Sequence, residues 1–441
     1  MTKERNIEDY FKFVFHNIKD KDYNLEKKIC DFITRRIFDR VDVIGLDEIA
    51  AQRKQEDIAG NRTVNIYINR HLSEFDWFEM QRVLANVNMV TSVQAGDNLF
   101  IGPLDPLLRH LGGFKVFRED VNLFSSHWLS HGIYKFLDTL LKWNLLFSIY
   151  SFFCFKRPCA ITIDKTLAKD IYVAYLNHLI TVEGRDILMF PEYIKNSDKT
   201  IKYGRSYSGA LLDFTPFLFK LIKGISKKTD INIQIVPVNL SYERVVEDQT
   251  FRTLERMKAH RFLKHFTYIC DYIFNYTHWM FQGKKGRVVI KFGTPIPLKK
   301  KIDFRIRLHD EARKRVGALQ TVFPSQIVAY SFHNDHEVSE NDLCRRVENT
   351  ITDLRVAKAD LSYVDDLSPT DIIHSAYAQF NHNLTRRIMR KNSKENTYIV
   401  QRPDVVAQYS NHILHFFEKW YDKDQLIKTI KVFREKEEES F

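Results

Sequence analysis

No hydrophobic run in the chain reaches the roughly 17 to 25 apolar residues that a membrane-spanning helix takes, and the opening residues, MTKERNIEDYF, lack the apolar stretch of a secretory signal. The expectation is a protein made and kept in the cytoplasm. Cysteine is scarce and odd in number: of Cys30, Cys154, Cys159, Cys270 and Cys344, only Cys154 and Cys159 lie close together, with no second pair to complete a zinc site. This argues against a disulfide framework or a structural metal, and for a reducing compartment. There is no internal repeat and no low-complexity stretch except KVFREKEEES, which reads as a solvated helix end or a frayed terminus. The chain is basic, yet no nucleic-acid-binding motif accompanies the charge, so nucleic acid is not an expected partner.

What is present is a globular composition. The 441 residues suggest about two or three domains, and 44% hydrophobic with 28% charged residues, 34 Phe and 20 Tyr exclude disorder for the bulk of the chain. Against 56 Asp and Glu stand 67 Lys and Arg, a net charge of +11 that suits an acidic partner, an anionic membrane surface or a phosphorylated small molecule.

Periodicity divides the chain. Phe11, Val14, Phe15, Ile29, Phe32, Ile33, Ile37 and Phe38 recur at helical spacing, which predicts an N-terminal helical region over 1–60. From Arg62 the pattern alternates through Val64, Ile66 and Ile68, and strand-like runs follow at 186–190, 231–238 and 287–293. A helical pattern over 167–184 lies between them, so an α/β domain of mixed sheet with surrounding helices is expected over 61–305. From 306 to 441 a charged sequence almost free of Gly, without sustained alternation, predicts a helical C-terminal region. Trp143 to Phe155, WNLLFSIYSFFCF, carries no charge and is bounded by Lys142, Lys156 and Arg157. It is too short to span a bilayer and reads either as a core helix or as an interfacial element whose aromatics and flanking cations meet lipid. The basic run Lys299, Lys300, Lys301, Arg305 and Arg307 reads as a solvated face.

Four short elements carry possible chemistry. His71 and Asp76 follow the first alternating run, where a strand-to-helix turn can fold a carboxylate against an imidazole and make it a general base. Read singly, the pair is equally a surface His and a helix N-terminal Asp. Ala95-Gly96-Asp97-Asn98-Leu99 is followed by Gly112-Gly113-Phe114 and Arg118, glycines for a tight turn and a guanidinium suited to phosphate. Phe190-Pro191-Glu192 ends a run, with Lys195 and then Gly204-Arg205-Ser206 beyond it. Ile235 to Glu243, IVPVNLSYE, is a buried strand entering a polar turn, and by itself reads as core.

In this order the four elements resemble the blocks of the glycerol-3-phosphate and dihydroxyacetone-phosphate acyltransferases: a His-x4-Asp block, an AGDNL…GGFF-x-R-like block, an FxEG-x-RS block and a VPV-x-x-YE-like block. Lys291 to Leu298, KFGTPIPL, looks like that family's FGEPI segment, and Tyr409 to His415, YSNHILH, like its YxNxxLH stretch, so the resemblance covers about residues 40–420. It implies that His71 is the general base, that Asp76 orients it, and that Arg118, Glu192, Arg205 and Ser206 bind the acceptor and its phosphate. The chain departs from the pattern where Tyr193-Ile194-Lys195 follows Glu192 and Gly204-Arg205-Ser206 comes later, which implies an inserted loop and leaves Lys195 beside Arg205 as a phosphate ligand. A second departure is the long link over 119–168, an insertion that holds the apolar segment and could touch a membrane.

The implied activity is transfer of a fatty acyl group from acyl-CoA or acyl carrier protein to the 1-hydroxyl of glycerol 3-phosphate, giving lysophosphatidic acid on the cytoplasmic side of a membrane, with no metal or bound cofactor. Dihydroxyacetone phosphate or a lysophospholipid as acceptor stays open, as does an inactive, lipid-binding relative.

Overall fold

Sheet building begins earlier than the apolar alternation suggests. In the computed structural model, which describes residues 30–73, 75–96, 112–116, 121–122, 162–163, 165–195, 201–203, 208–248, 286–298, 307–333, 335–381 and 387–418, a helical stretch over 30–37 leads into strand β1 (Arg40–Ile44) and helix α1 (Leu46–Ile58). The helical region expected over 1–60 also holds a strand: β1 pairs in parallel with a strand formed by residues 287–292. Its sequence, RVDVI, gives no apolar signal because an edge strand covered on one side only can leave Val43 and Ile44 exposed.

The next strand, β2 (Thr63–Ile68), is buried along its whole length. Val64, Ile66 and Ile68 fill one core, whereas Tyr67 belongs to the core on the opposite face, as the period of two requires. Helix α2 (Phe75–Asn86) and strands β3 (Thr91–Gly96) and β4 (Gly113–Val116) follow. Gly112, at φ +79°, makes the turn into β4, and its carbonyl accepts from Val93 N at 2.8 Å. After a two-stranded pair, β5 (Val121–Asn122) and β6 (Thr162–Ile163), helix α3 (Lys165–His178) runs through one π-turn into strand β7 (Asp186–Met189). A small sheet is then built from β8 (Glu192–Lys195), β9 (Ile201–Tyr203) and β10 (Asp213–Phe214), followed by helix α4 (Pro216–Ser226). Strands β11 (Asn232–Tyr242), β12 (Arg287–Phe292) and β13 (Ile296–Pro297) complete the central sheet.

The strand order is β1-β12-β11-β2-β7-β3-β4, with β13 folded back on β11. Strands β11, β2, β7, β3 and β4 are mutually parallel, and β12 joins β11 antiparallel. The architecture is mixed α/β around a central mixed sheet. One core sets the sheet against α3 and α4; the other sets it against the residues of 30–37, α1 and α2. Parallel strands covered on both faces read as apolar runs, which is why β2, β7 and β11 show in the sequence.

Beyond the sheet lie helices α5 (Leu308–Ala318), α6 (Pro324–Ser331), α7 (Glu340–Val356), α8 (Pro369–Phe380) and α9 (Pro403–His412). Two details differ from expectation. Ala312 and Val316 of α5 pack in the sheet's own core, so the α/β unit continues past the boundary placed at 305. A three-stranded antiparallel sheet, β14 (Glu337–Ser339), β16 (Thr397–Val400) and β15 (Met389–Asn392), interrupts the helices, its strands too short to show a period. Helices α6 to α9 otherwise bury a core of their own around Ile327, Leu343, Ile372 and Tyr409. Among the described residues no helix is long and apolar enough to cross a membrane.

Candidate functional site

Parallel strands leave their C-terminal ends on one edge of a sheet, where the following loops can converge. Here the chain leaves β2 as Asn69-Arg70-His71 and leaves the neighbouring β7 as Phe190-Pro191-Glu192, so two of the sequence elements meet across adjacent strands. Asn69 N donates to Met189 O at 3.1 Å and ties the two exits together. Phe190 stacks on the His71 ring, with centroids 4.5 Å apart and planes inclined by 27°.

The turn from β2 into α2 brings His71 and Asp76 together. His71 Nδ1 lies 3.0 Å from Asp76 Oδ2, and the same oxygen accepts from the backbone N–H groups of Leu72 at 2.6 Å and Ser73 at 2.9 Å. Asp76 is thereby both the first-turn acid of α2, favoured there by the helix dipole, and the acceptor that assigns the Nδ1 hydrogen. Nε2 becomes the nitrogen at which His71 gains or loses a proton. The His71 side chain keeps 16% of its surface exposed and that of Asp76 1%, so a solute can reach the imidazole while the carboxylate behind it stays dry. A pair held in this way can act as a general base with its orienting carboxylate.

Three further groups fix this turn. Tyr242, the last residue of β11, donates its hydroxyl to Asp76 Oδ1 at 2.7 Å. Burial first, and then the Asp76 carboxylate, push the Tyr242 phenol well above its ordinary range, so it stays a donor at any ordinary pH. Ser73 donates from its hydroxyl to Glu247 at 2.8 Å. Glu192, expected to face the acceptor, is fully buried, and its two oxygens accept from His71 N at 2.8 Å and Leu212 N at 3.0 Å. It therefore touches the dyad through the backbone. Burial raises the Glu192 carboxyl above its ordinary value, opposed by the neighbouring Arg70 guanidinium. Arg70 is itself buried, donating to Gln320 at 3.0 Å and to the Gly209 carbonyl; burial lowers its pKa, opposed by Glu192 and Asp76.

The residues after Glu192 form the β8–β9 antiparallel pair. Tyr193 stands opposite Tyr203, so this pair brings the chain back to within one residue of Glu192. Lys195 lies in β8 opposite Ile201, its side chain outside the described residues, as are Gly204, Arg205, Ser206 and Arg118. The apolar segment Trp143 to Phe155 and the basic residues 299–301 and 305 also lie outside them. Gly113 and Phe114 of the second element sit in β4, Phe114 buried against Tyr175. Among the described residues no group of three or more His, Cys, Asp and Glu is arranged to hold a metal ion.

Sequence reasoning did not single out Arg70, Phe190, Ser73, Tyr242 or Glu247 as partners of the dyad. Arg70 and Phe190 adjoin quoted residues, and Tyr242 lies within IVPVNLSYE, so a signal existed for them; nothing in the sequence pairs Glu247 with Ser73. The YSNHILH stretch also reaches the site's rim: Asn411 donates to Ser208 O at 2.9 Å, and Tyr409 donates to Asp248 while accepting from Val245 N. The chain matches no family model and no curated protein.

Proposed function

We propose that the chain is an acyltransferase that moves a fatty acyl group from an acyl thioester to the 1-hydroxyl of glycerol 3-phosphate. The observation that carries this reading is the His71–Asp76 pair: a half-buried imidazole, tied through Nδ1 to a dry carboxylate, at the C-terminal ends of the parallel strands of the central sheet. The order of the quoted motifs supports it.

In the reaction, His71 Nε2 takes the proton of the hydroxyl as that oxygen attacks the thioester carbonyl. Asp76 stabilises the imidazolium that forms, and Tyr242 and the Leu72 and Ser73 amides hold Asp76 in place. The tetrahedral intermediate then collapses with loss of the thiolate, which receives the proton from Nε2, so the enzyme returns to its starting state without a covalent intermediate. Arg118, with Arg205 or Lys195, binds the acceptor's phosphate as a charge-assisted donor. The thioester comes from acyl-CoA or acyl carrier protein, both acidic partners that suit a chain of net charge +11. The protein works at the cytoplasmic surface of a membrane, into which its product passes.

The test is to offer labelled palmitoyl-CoA and palmitoyl carrier protein with glycerol 3-phosphate, dihydroxyacetone phosphate and a lysophospholipid in turn. Labelled lysophosphatidic acid from glycerol 3-phosphate is the expected product. Product only with another acceptor would move the assignment to that acceptor, and no product with any pair would overturn the reading.

A further inference from the structure

The Asp76 carboxylate is shared unequally. Oδ2 serves His71 Nδ1 and the Leu72 and Ser73 amides, whereas the hydrogen bond to Oδ1 comes from the Tyr242 hydroxyl, at 2.7 Å. A donor on one carboxylate oxygen withdraws negative charge from the other, and so weakens the attraction that the other exerts on an imidazolium. Tyr242 is therefore placed to act on His71 without touching it.

The phenol is held in place from several directions. Its residue pairs with Val288 across β11 and β12, and its ring packs against Phe38 with centroids 6.0 Å apart. Its carbonyl accepts from Gln326 Nε2 of α6 at 3.3 Å, and the next carbonyl, that of Glu243, accepts from Ser325 at 2.7 Å. Gln326 Nε2 also meets His412 Nδ1 of α9 at 3.3 Å. The C-terminal helices thus fix the backbone from which Tyr242 reaches the dyad.

We infer that Tyr242 is a positioning residue of the site, whose hydrogen bond to Asp76 Oδ1 sets the basicity of His71. The inference rests on the acyltransferase reading for its catalytic meaning alone; the effect on His71 is a property of the protein without substrate. Among the described residues the charged and titratable groups facing this pair are Asp76 and Glu79 from α2, Glu192 from β8, Arg70 beside His71, and Glu247 after β11. Tyr242→Phe removes the hydroxyl and leaves all of them in place.

The experiment is a histidine NMR titration of the full chain, with the His71 resonance assigned by its loss in His71→Ala. In Tyr242→Phe the His71 midpoint should rise, by about half a pH unit or more. A ring-fluorinated tyrosine at position 242, a stronger donor of nearly the same shape, should lower it, and this second protein keeps the test open if Tyr242→Phe does not fold. Midpoints unchanged or moved in the opposite directions would overturn the inference. Where acyl transfer is measured, KM should be kept in Tyr242→Phe and the acid limb of its pH profile should move up with the NMR midpoint. A chain with shifted midpoints and no acyl transfer would refute the acyltransferase reading and leave Tyr242 in its role.

Discussion

At the scale of single residues the site depends on a few buried polar groups whose partners lie on other strands. Among the described residues Glu192 has no charged hydrogen-bond partner; its two oxygens meet two backbone amides, those of His71 and Leu212. A carboxylate can accept at both oxygens, whereas an amide side chain can accept at one and must turn an NH2 towards the other donor. Glu192→Gln should therefore cost about 1–3 kcal/mol of stability, read as a lower denaturant midpoint with unchanged m-value, and should loosen the His71 backbone. An unchanged midpoint would mean that Glu192 is not the strut its contacts describe. The His71–Asp76 pair was within reach of the sequence because its five-residue spacing is closed by one local turn. Tyr242 was not, since 166 residues separate it from Asp76 and no periodicity encodes which phenol meets which carboxylate.

At the scale of elements, the loop after β9 and helix α9 are pressed together at Gly209. Its φ of +78° lies in the left-handed region, and a Cβ built there would collide with the Gln408 carbonyl oxygen and stand 2.8 Å from His412 Cδ2. Gly209→Ala should destabilise the protein by about 2–4 kcal/mol, from backbone strain and overpacking together. A thermal midpoint equal to that of the unsubstituted chain would show that the two elements are not packed as described. The central strands could be read from sequence because their buried faces make apolar runs. Edge strand β1 could not, because it alternates charge with half-exposed valines, and β14 to β16 span three or four residues each, too few for any period.

At the scale of the whole molecule, the sheet and the C-terminal helices meet through buried polar groups: Arg70 with Gln320, Asn239 with Val316 O, and Ser241 with Thr321 N. Contacts between residues as far apart as 70 and 320 were beyond sequence periodicity, which is why two regions that read as separate share a boundary inside one core. The junction also holds His412 and His415, kept neutral by burial and then by the nearby Arg70 cation, His415 down to about 3. An unfolded histidine takes up its proton near pH 6.5. Between about pH 6.5 and 3 the unfolded chain thus binds a proton at residue 415 that the folded chain refuses. Stability from this group is complete above pH 6.5 and is lost as pH falls, by about 1.4 kcal/mol per pH unit. Denaturant midpoints measured from pH 7 to 4 should fall less steeply for His415→Gln than for the unsubstituted chain; parallel slopes would contradict the lowered proton affinity of His415. The central claim, that His71 is the base of an acyl transfer, is tested most directly by glycerol-3-phosphate-dependent release of thiol from palmitoyl-CoA by the full chain and by His71→Ala, each shown to be folded by thermal melting. The account predicts release by the unsubstituted chain and a loss of at least about a hundredfold in the variant; equal rates, or no release by either, would contradict it.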